Sequence, residues 1–179
     1  MFSLLAFVIL AIPMLIVVLL IRLASPGPVF HISDRVGRDN KIFRMFKFRT
    51  MRVDAPQLAT HLMKEPEKYV TPIGKFMRET SLDEVPQLIN VLKGDMSIVG
   101  PRPALFNQDD QISLRTKAGC HVLTPGITGW AQVNGRDDIS IERKVELDTY
   151  YMENRSLWLD MKIIWMTVVN VVKGKNVSH

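Results

Sequence analysis

Residues 81–103 read Ser81-Leu82-Asp83-Glu84-Val85-Pro86-Gln87-Leu88-Ile89-Asn90-Val91-Leu92-Lys93-Gly94-Asp95-Met96-Ser97-Ile98-Val99-Gly100-Pro101-Arg102-Pro103. Two adjacent carboxylates, Asp83 and Glu84, open a short run in which Val85, Leu88, Ile89 and Leu92 form one apolar helical stripe. Gly94 ends that stripe as a C-cap, and Pro86 falls in the first turn if Ser81 or Asp83 caps the helix. The acids are therefore predicted at a helix N-terminus, where the dipole stabilises carboxylates and any bound phosphate. Gly100-Pro101-Arg102-Pro103 then fixes a cation in a rigid corner. An isolated Asp-Glu pair is most often a cap with a solvated neighbour. Here Arg78 lies upstream, and Lys93, Asp95 and Arg102 follow. Carboxylates supply hard oxygens for a magnesium ion, and guanidinium forks bind phosphate. An aspartate can also attack phosphorus to give an acyl phosphate.

Upstream of this window, Lys41-Ile42-Phe43-Arg44-Met45-Phe46-Lys47-Phe48-Arg49 alternates apolar and cationic residues. Period-two alternation predicts a half-exposed strand with a basic face. Val29-Phe30-His31-Ile32 is a second short strand, and Arg35–Asn40 a basic turn, so the pair makes a β-hairpin. Residues 1–21 carry no charged side chain and end at Arg22. That run is long enough to enter a bilayer as a helix. It lacks the basic start and small-residue cleavage site of a signal peptide. Pro13 removes a backbone hydrogen bond in its middle and kinks it. On residues alone, a kinked span is favoured over a helix that bends and returns to the same face. The basic hairpin beside the anchor suits anionic lipid headgroups and the cytoplasmic side. The chain thus divides into a membrane-inserted segment, 1–24, and a membrane-associated domain, 25–179.

Downstream, residues 52–70 read as a solvated helix and loop, and Thr71–Arg78 as a helix with Ile73, Phe76 and Met77 on one face. Residues 120–135 are turn-rich, and 141–155 form a charged helix. Leu157 to Val172 is apolar with two tryptophans, but Asp160, Lys162 and Asn170 interrupt it. Its pattern fits an interfacial helix or a core helix equally. The predicted class is α+β and mostly helical.

Composition narrows the partners. The 179 residues carry a formal charge of +5, which favours anionic partners. One cysteine, Cys120, excludes an intrachain disulfide and a Cys-rich zinc site, and the four histidines show no ligand spacing. No nucleic-acid motif accompanies the charge, so a membrane-tethered nucleic-acid module is disfavoured.

The chain resembles the bacterial sugar transferase family, the monotopic polyprenyl-phosphate phosphoglycosyl transferases. The resemblance rests on motifs in order: Pro26-Gly27-Pro28-Val29-Phe30, Arg35-Val36-Gly37, Phe46-Lys47-Phe48-Arg49-Thr50-Met51, the 81–103 window, and Pro125 through Asn134-Gly135-Arg136. It implies transfer of a sugar-1-phosphate from a UDP-sugar to undecaprenyl phosphate at the cytoplasmic face of the bacterial inner membrane, with release of UMP. It also implies Mg2+ held by Asp83 and Glu84, with Asp83 the nucleophile of a covalent phosphosugar-enzyme. By motif position, Lys47, Arg49, Arg78, Arg102 and Arg136 would contact phosphates, nucleotide or lipid headgroup. The membrane helix would be re-entrant, broken at Pro13, with amphipathic helices lying in the phospholipid interface. A membrane-tethered phosphohydrolase using the same acids with water as acceptor is the alternative enzyme.

Overall fold

A computed structural model of the chain describes residues 15–56, 65–135 and 139–173. The expectations for Pro13 and Arg136, and most of the predicted 52–63 helix, lie outside the described residues. Within them the architecture is α+β and mostly helical, as the sequence predicts.

Residues 15–24 (α1) are helical. Apart from exposed Arg22 the helix is apolar on all sides, so packing largely selects its buried face. Val17 and Ile21, one turn apart, join Val29, Phe48 and Met77 in a core. Leu15, Ile16, Leu19, Leu20 and Leu23 remain exposed. Among the described residues no helix is long and apolar enough to cross a membrane.

The hairpin is present. β1 (Phe30–Val36) and β2 (Ile42–Phe48) pair antiparallel, from Phe30 opposite Phe48 to Val36 opposite Ile42. The reversal places Asp39 and Asn40 at positive φ, which short polar side chains tolerate best among non-glycines. The basic face differs from expectation. Lys41 and Arg44 are exposed, but Lys47 and Arg49 are turned into the protein. Each has fixed oxygen partners there, which offset part of the cost of desolvating the cation.

α2 (Pro72–Glu79) starts where Thr71 Oγ1 accepts from Gly74 N at 3.0 Å. Met77 is buried beneath it, whereas Phe76 is exposed, so the expected apolar face is only partly formed. The next segment corrects the predicted cap. Ser81 lies in the left-handed region (φ 56°) and makes no side-chain cap bond. Asp83 and Glu84 occupy a 3-10 turn, Leu82–Glu84, held by Glu84 N to Ser81 O and Val85 N to Leu82 O. α3 (Gln87–Lys93) begins only after Pro86, which lacks an N–H and fits an N-cap with no donor to place. Gly94 closes α3 at φ 84°, as predicted.

A second, parallel strand pair was not foreseen. β3 (Ser97–Val99) lies beside β4 (Gly126–Thr128). The close approach requires glycine: a Cβ on Gly126 would strike the Gly100 backbone. α4 (Asp109–Lys117), α5 (Trp130–Val133), α6 (Ile141–Glu153) and α7 (Leu157–Val172) complete the fold. Val99, Leu123, Tyr151, Leu159 and Ile163 form a second core. The last helix packs one face on the core and leaves another exposed. Leu159 and Ile163 face the core, while Trp158 and Trp165 are 80% and 69% exposed.

Candidate active site

The acid pair lies between the two cores, and three elements aim cations at it. β2 supplies Lys47, whose Nζ is 2.7 Å from Glu84 Oε1 and 4.0 Å from Asp83 Oδ2. The corner after β3 supplies Arg102, whose Nη1 donates to the same Glu84 oxygen at 3.3 Å. The last turn of α2 supplies Arg78, whose charge favours ionised Asp83 and whose Nε donates to Thr50 Oγ1 at 3.0 Å. Asp83 and Glu84 side chains are only 13% and 11% exposed.

Such burial has electrostatic consequences. Desolvation raises the Asp83 carboxyl above the ordinary aspartate value. Lys47, Arg78 and Arg102 oppose that rise, and the Glu84 charge adds to it. Desolvation likewise lowers Lys47, against the pull of Glu84 and Asp83. Three cations thus face two carboxylates, which leaves the site net positive and suited to an anionic substrate.

Side chains that the sequence reading passed over hold this geometry in place. Asn90 on α3 is fully buried. Its Oδ1 accepts from Phe46 N at 3.1 Å, and its Nδ2 donates to Arg44 O at 2.7 Å. The amide thereby takes the place of a third strand along the open edge of β2, and it fixes α3 against the strand that carries Lys47. Arg115 Nη1 donates to Arg102 O at 2.7 Å, while its Nε and Nη2 donate to buried Asp148 at 2.9 and 2.6 Å. That pair bolts the Pro-Arg-Pro corner to α4 and α6. Asn90 was legible only as a polar residue inside an apolar stripe; Arg115 and Asp148 had no local signal.

Of the expected cationic contacts, Lys47, Arg78 and Arg102 converge on the acids. Arg49 does not join them. It is buried, and its Nη1 and Nη2 donate to Pro26 O and Ser25 O at 2.8 and 2.7 Å. There it secures the chain where α1 meets the hairpin. Among the described residues no group of three or more His, Cys, Asp or Glu side chains gathers as a metal site. The two carboxylates still fit magnesium, which is commonly bound by one or two carboxylates together with substrate phosphates.

A buried acid pair ringed by cations is suited to binding an anionic group such as a phosphate ester. The comparisons narrow this reading. The family model for bacterial sugar transferases matches residues 1–174, and the chain belongs to that family. It is similar to the uncharacterized sugar transferase EpsL of Bacillus subtilis, 44% identical over 92% of this chain and 80% of that protein. The UDP-N-acetylgalactosamine-undecaprenyl-phosphate N-acetylgalactosaminephosphotransferase of Aeromonas hydrophila is 42% identical over 90% of this chain and 39% of its own length. The UDP-glucose:undecaprenyl-phosphate glucose-1-phosphate transferase of Escherichia coli is 42% identical over 85% of this chain, which spans 34% of that protein. The chain therefore corresponds to a little over a third of the length of the latter two.

Proposed function

We propose that the chain transfers a sugar-1-phosphate from a UDP-sugar to undecaprenyl phosphate, releasing UMP. The observation that carries this reading is the convergence of Lys47, Arg78 and Arg102 on a buried Asp83–Glu84 pair, in a member of a sugar transferase family. The names of the relatives support the donor and acceptor classes.

The chemistry proceeds in two displacements. An Asp83 carboxylate oxygen attacks the sugar-bearing phosphorus of the donor. The bond from that phosphorus to the bridging oxygen breaks, and UMP leaves with the electron pair. An oxygen of the polyprenyl phosphate then attacks the phosphosugar-enzyme at the same phosphorus, which returns Asp83 as a carboxylate and gives the lipid diphosphate sugar. Lys47 and Arg102 hold Glu84 beside the nucleophile, and the cations offset charge that builds on the phosphoryl oxygens. Mg2+, held by Asp83 and Glu84, would neutralise the donor diphosphate and ease departure of UMP.

Two apolar surfaces support a seat at the membrane. The exposed leucines of α1 and the tryptophan-bearing face of α7 are suited to phospholipid, α1 as part of an inserted segment 1–24 and α7 in the headgroup layer. Segment 1–24 is read as re-entrant, broken at Pro13, and residues 25–179 as the catalytic domain on the cytoplasmic face of the inner membrane. UMP release from a panel of UDP-sugars, with undecaprenyl phosphate and magnesium, tests the function. Release that depends on the polyprenyl phosphate supports transfer. Equal release with water as the sole acceptor would make the protein a phosphohydrolase.

A further inference from the structure

Next to the acid pair is a cavity of about 210 Å³, lined at the site by Glu84 and Arg102. Its other walls are largely hydrocarbon: Val85, Leu88, Ile127, Val133 and Val171. Of the polar side chains that also line it, Ser81, Thr128, Gln132 and Thr167, the two threonines are paired within the protein. The Thr128 and Thr167 hydroxyls lie 2.6 Å apart, and Thr167 also donates to Ile163 O at 2.8 Å. Gln132 Nε2 donates to Ile127 O at 3.5 Å, and its buried Oε1, beside Gly129, has no hydrogen-bond partner among the described residues. A base or sugar ring would find few hydrogen-bonding groups here, whereas an apolar chain ending in an anion matches both the walls and the Arg102 end.

The position of the cavity on α7 points the same way. At about 100° per residue, Thr167 and Val171 lie between two faces of that helix. On one side is the core face of Leu159 and Ile163. On the other is an exposed apolar stripe formed by Trp158, Met161, Trp165, Val168 and Val172. The cavity therefore borders the surface of α7 best suited to lipid.

We propose that this cavity receives the phosphate-proximal isoprene units of a prenyl phosphate, with the phosphate turned toward Arg102. The assignment rests on the proposed transfer for its choice of a prenyl phosphate. It makes Val85, Leu88, Ile127, Val133 and Val171 the wall that recognises the acceptor chain.

The test uses the full chain in nanodiscs of phosphatidylethanolamine and phosphatidylglycerol. The probe is farnesyl phosphate carrying a diazirine on its first isoprene unit. Photolabel is expected on peptides containing Val133 or Val171, displaced by undecaprenyl phosphate and not by UMP. Val171→Trp, which fills the cavity from α7, should cut this labelling at least fivefold. It should also raise the KM for undecaprenyl phosphate at least tenfold more than the KM for the UDP-sugar. Label confined to the exposed Trp158–Trp165 face, displacement by UMP, or an equal rise in both KM values would overturn the proposal. Because labelling is read on the unaltered protein, it stands even if Val171→Trp fails to fold. Label in the cavity without acceptor-dependent UMP release would refute transfer and leave the prenyl site standing. Acceptor-dependent release with label elsewhere would do the reverse.

Discussion

Asp83 and Glu84 are neighbours with different surroundings. Lys47 and Arg102 both reach one oxygen of Glu84, while Asp83 has Lys47 only at 4.0 Å. This asymmetry suits a fixed partner and a nucleophile less tightly bound by its cations. Asp83→Asn is expected to lower UMP release about 10³-fold or more, with the far-ultraviolet circular dichroism spectrum retained. The raised Asp83 carboxyl gives a second expectation. The pKa is higher in the fold than in the open chain, so protonation is favoured by folding, and the ionised form is lost on acidification at a higher pH than for an exposed aspartate. Carbon-13 titration of the ligand-free protein should show this, and Glu84→Gln should move the midpoint down by removing a neighbouring negative charge. An Asp83 midpoint at or below the exposed value would contradict the account. At this scale the acids, Arg78 and Arg102 were legible as charged neighbours around one window, whereas Lys47 was legible only as one cation of a basic strand and through the family resemblance. Arg49 was legible only as a cation. Its partners are the backbone carbonyls of Ser25 and Pro26, and a carbonyl leaves no mark in a sequence.

At the scale of elements, the site depends on a strand and a short helix joined by the Asn90 side-chain amide and by Lys93 over the Phe46 ring. Asn90→Ala removes both of its bonds to β2 and leaves Phe46 N and Arg44 O without that partner in a partly buried setting. A loss of about 2 kcal/mol is expected in denaturant melts. An unchanged midpoint would show that β2 does not need the amide. The hairpin, α2, α3, α6 and α7 were readable because period-two or helical patterning, capping threonine and C-cap glycine all act locally. α4 was not. Its one buried residue is Gln111, so it carries no apolar stripe. The β3–β4 pair was hidden for another reason. Three-residue strands have too little pattern, and their pairing depends on glycine contacts between distant segments. The 3-10 turn bearing the acids was mistaken for a helix start because Ser81 looks like a cap. Its left-handed backbone comes from the chain reversal after α2, which tertiary packing sets.

For the whole molecule, the arrangement is a charged site between two apolar flanks. The exposed leucines of α1 lie on the first core, and the tryptophan face of α7 lies over the second. Replacing both Trp158 and Trp165 with serine is expected to lower the vesicle-bound fraction in flotation while leaving the melting temperature within about 3 °C, since both rings are solvent-facing. A large fall in melting temperature would instead make α7 a purely structural helix. The proposed division into a lipid-facing segment, 1–24, and a catalytic domain, 25–179, rests on the change from an uncharged run to mixed composition at Arg22. Which face of α7 meets the core was not visible, because both of its faces are apolar.

The covalent role proposed for Asp83 is the central claim. Intact-protein mass spectrometry after mixing the enzyme, magnesium and a UDP-sugar without polyprenyl phosphate measures it most directly. The predicted result is about one equivalent of UMP and a mass gain of one sugar phosphate on the peptide containing Asp83, discharged by undecaprenyl phosphate and absent from Asp83→Asn. UMP formed only when the lipid phosphate is present, with no adduct at any time, would contradict it.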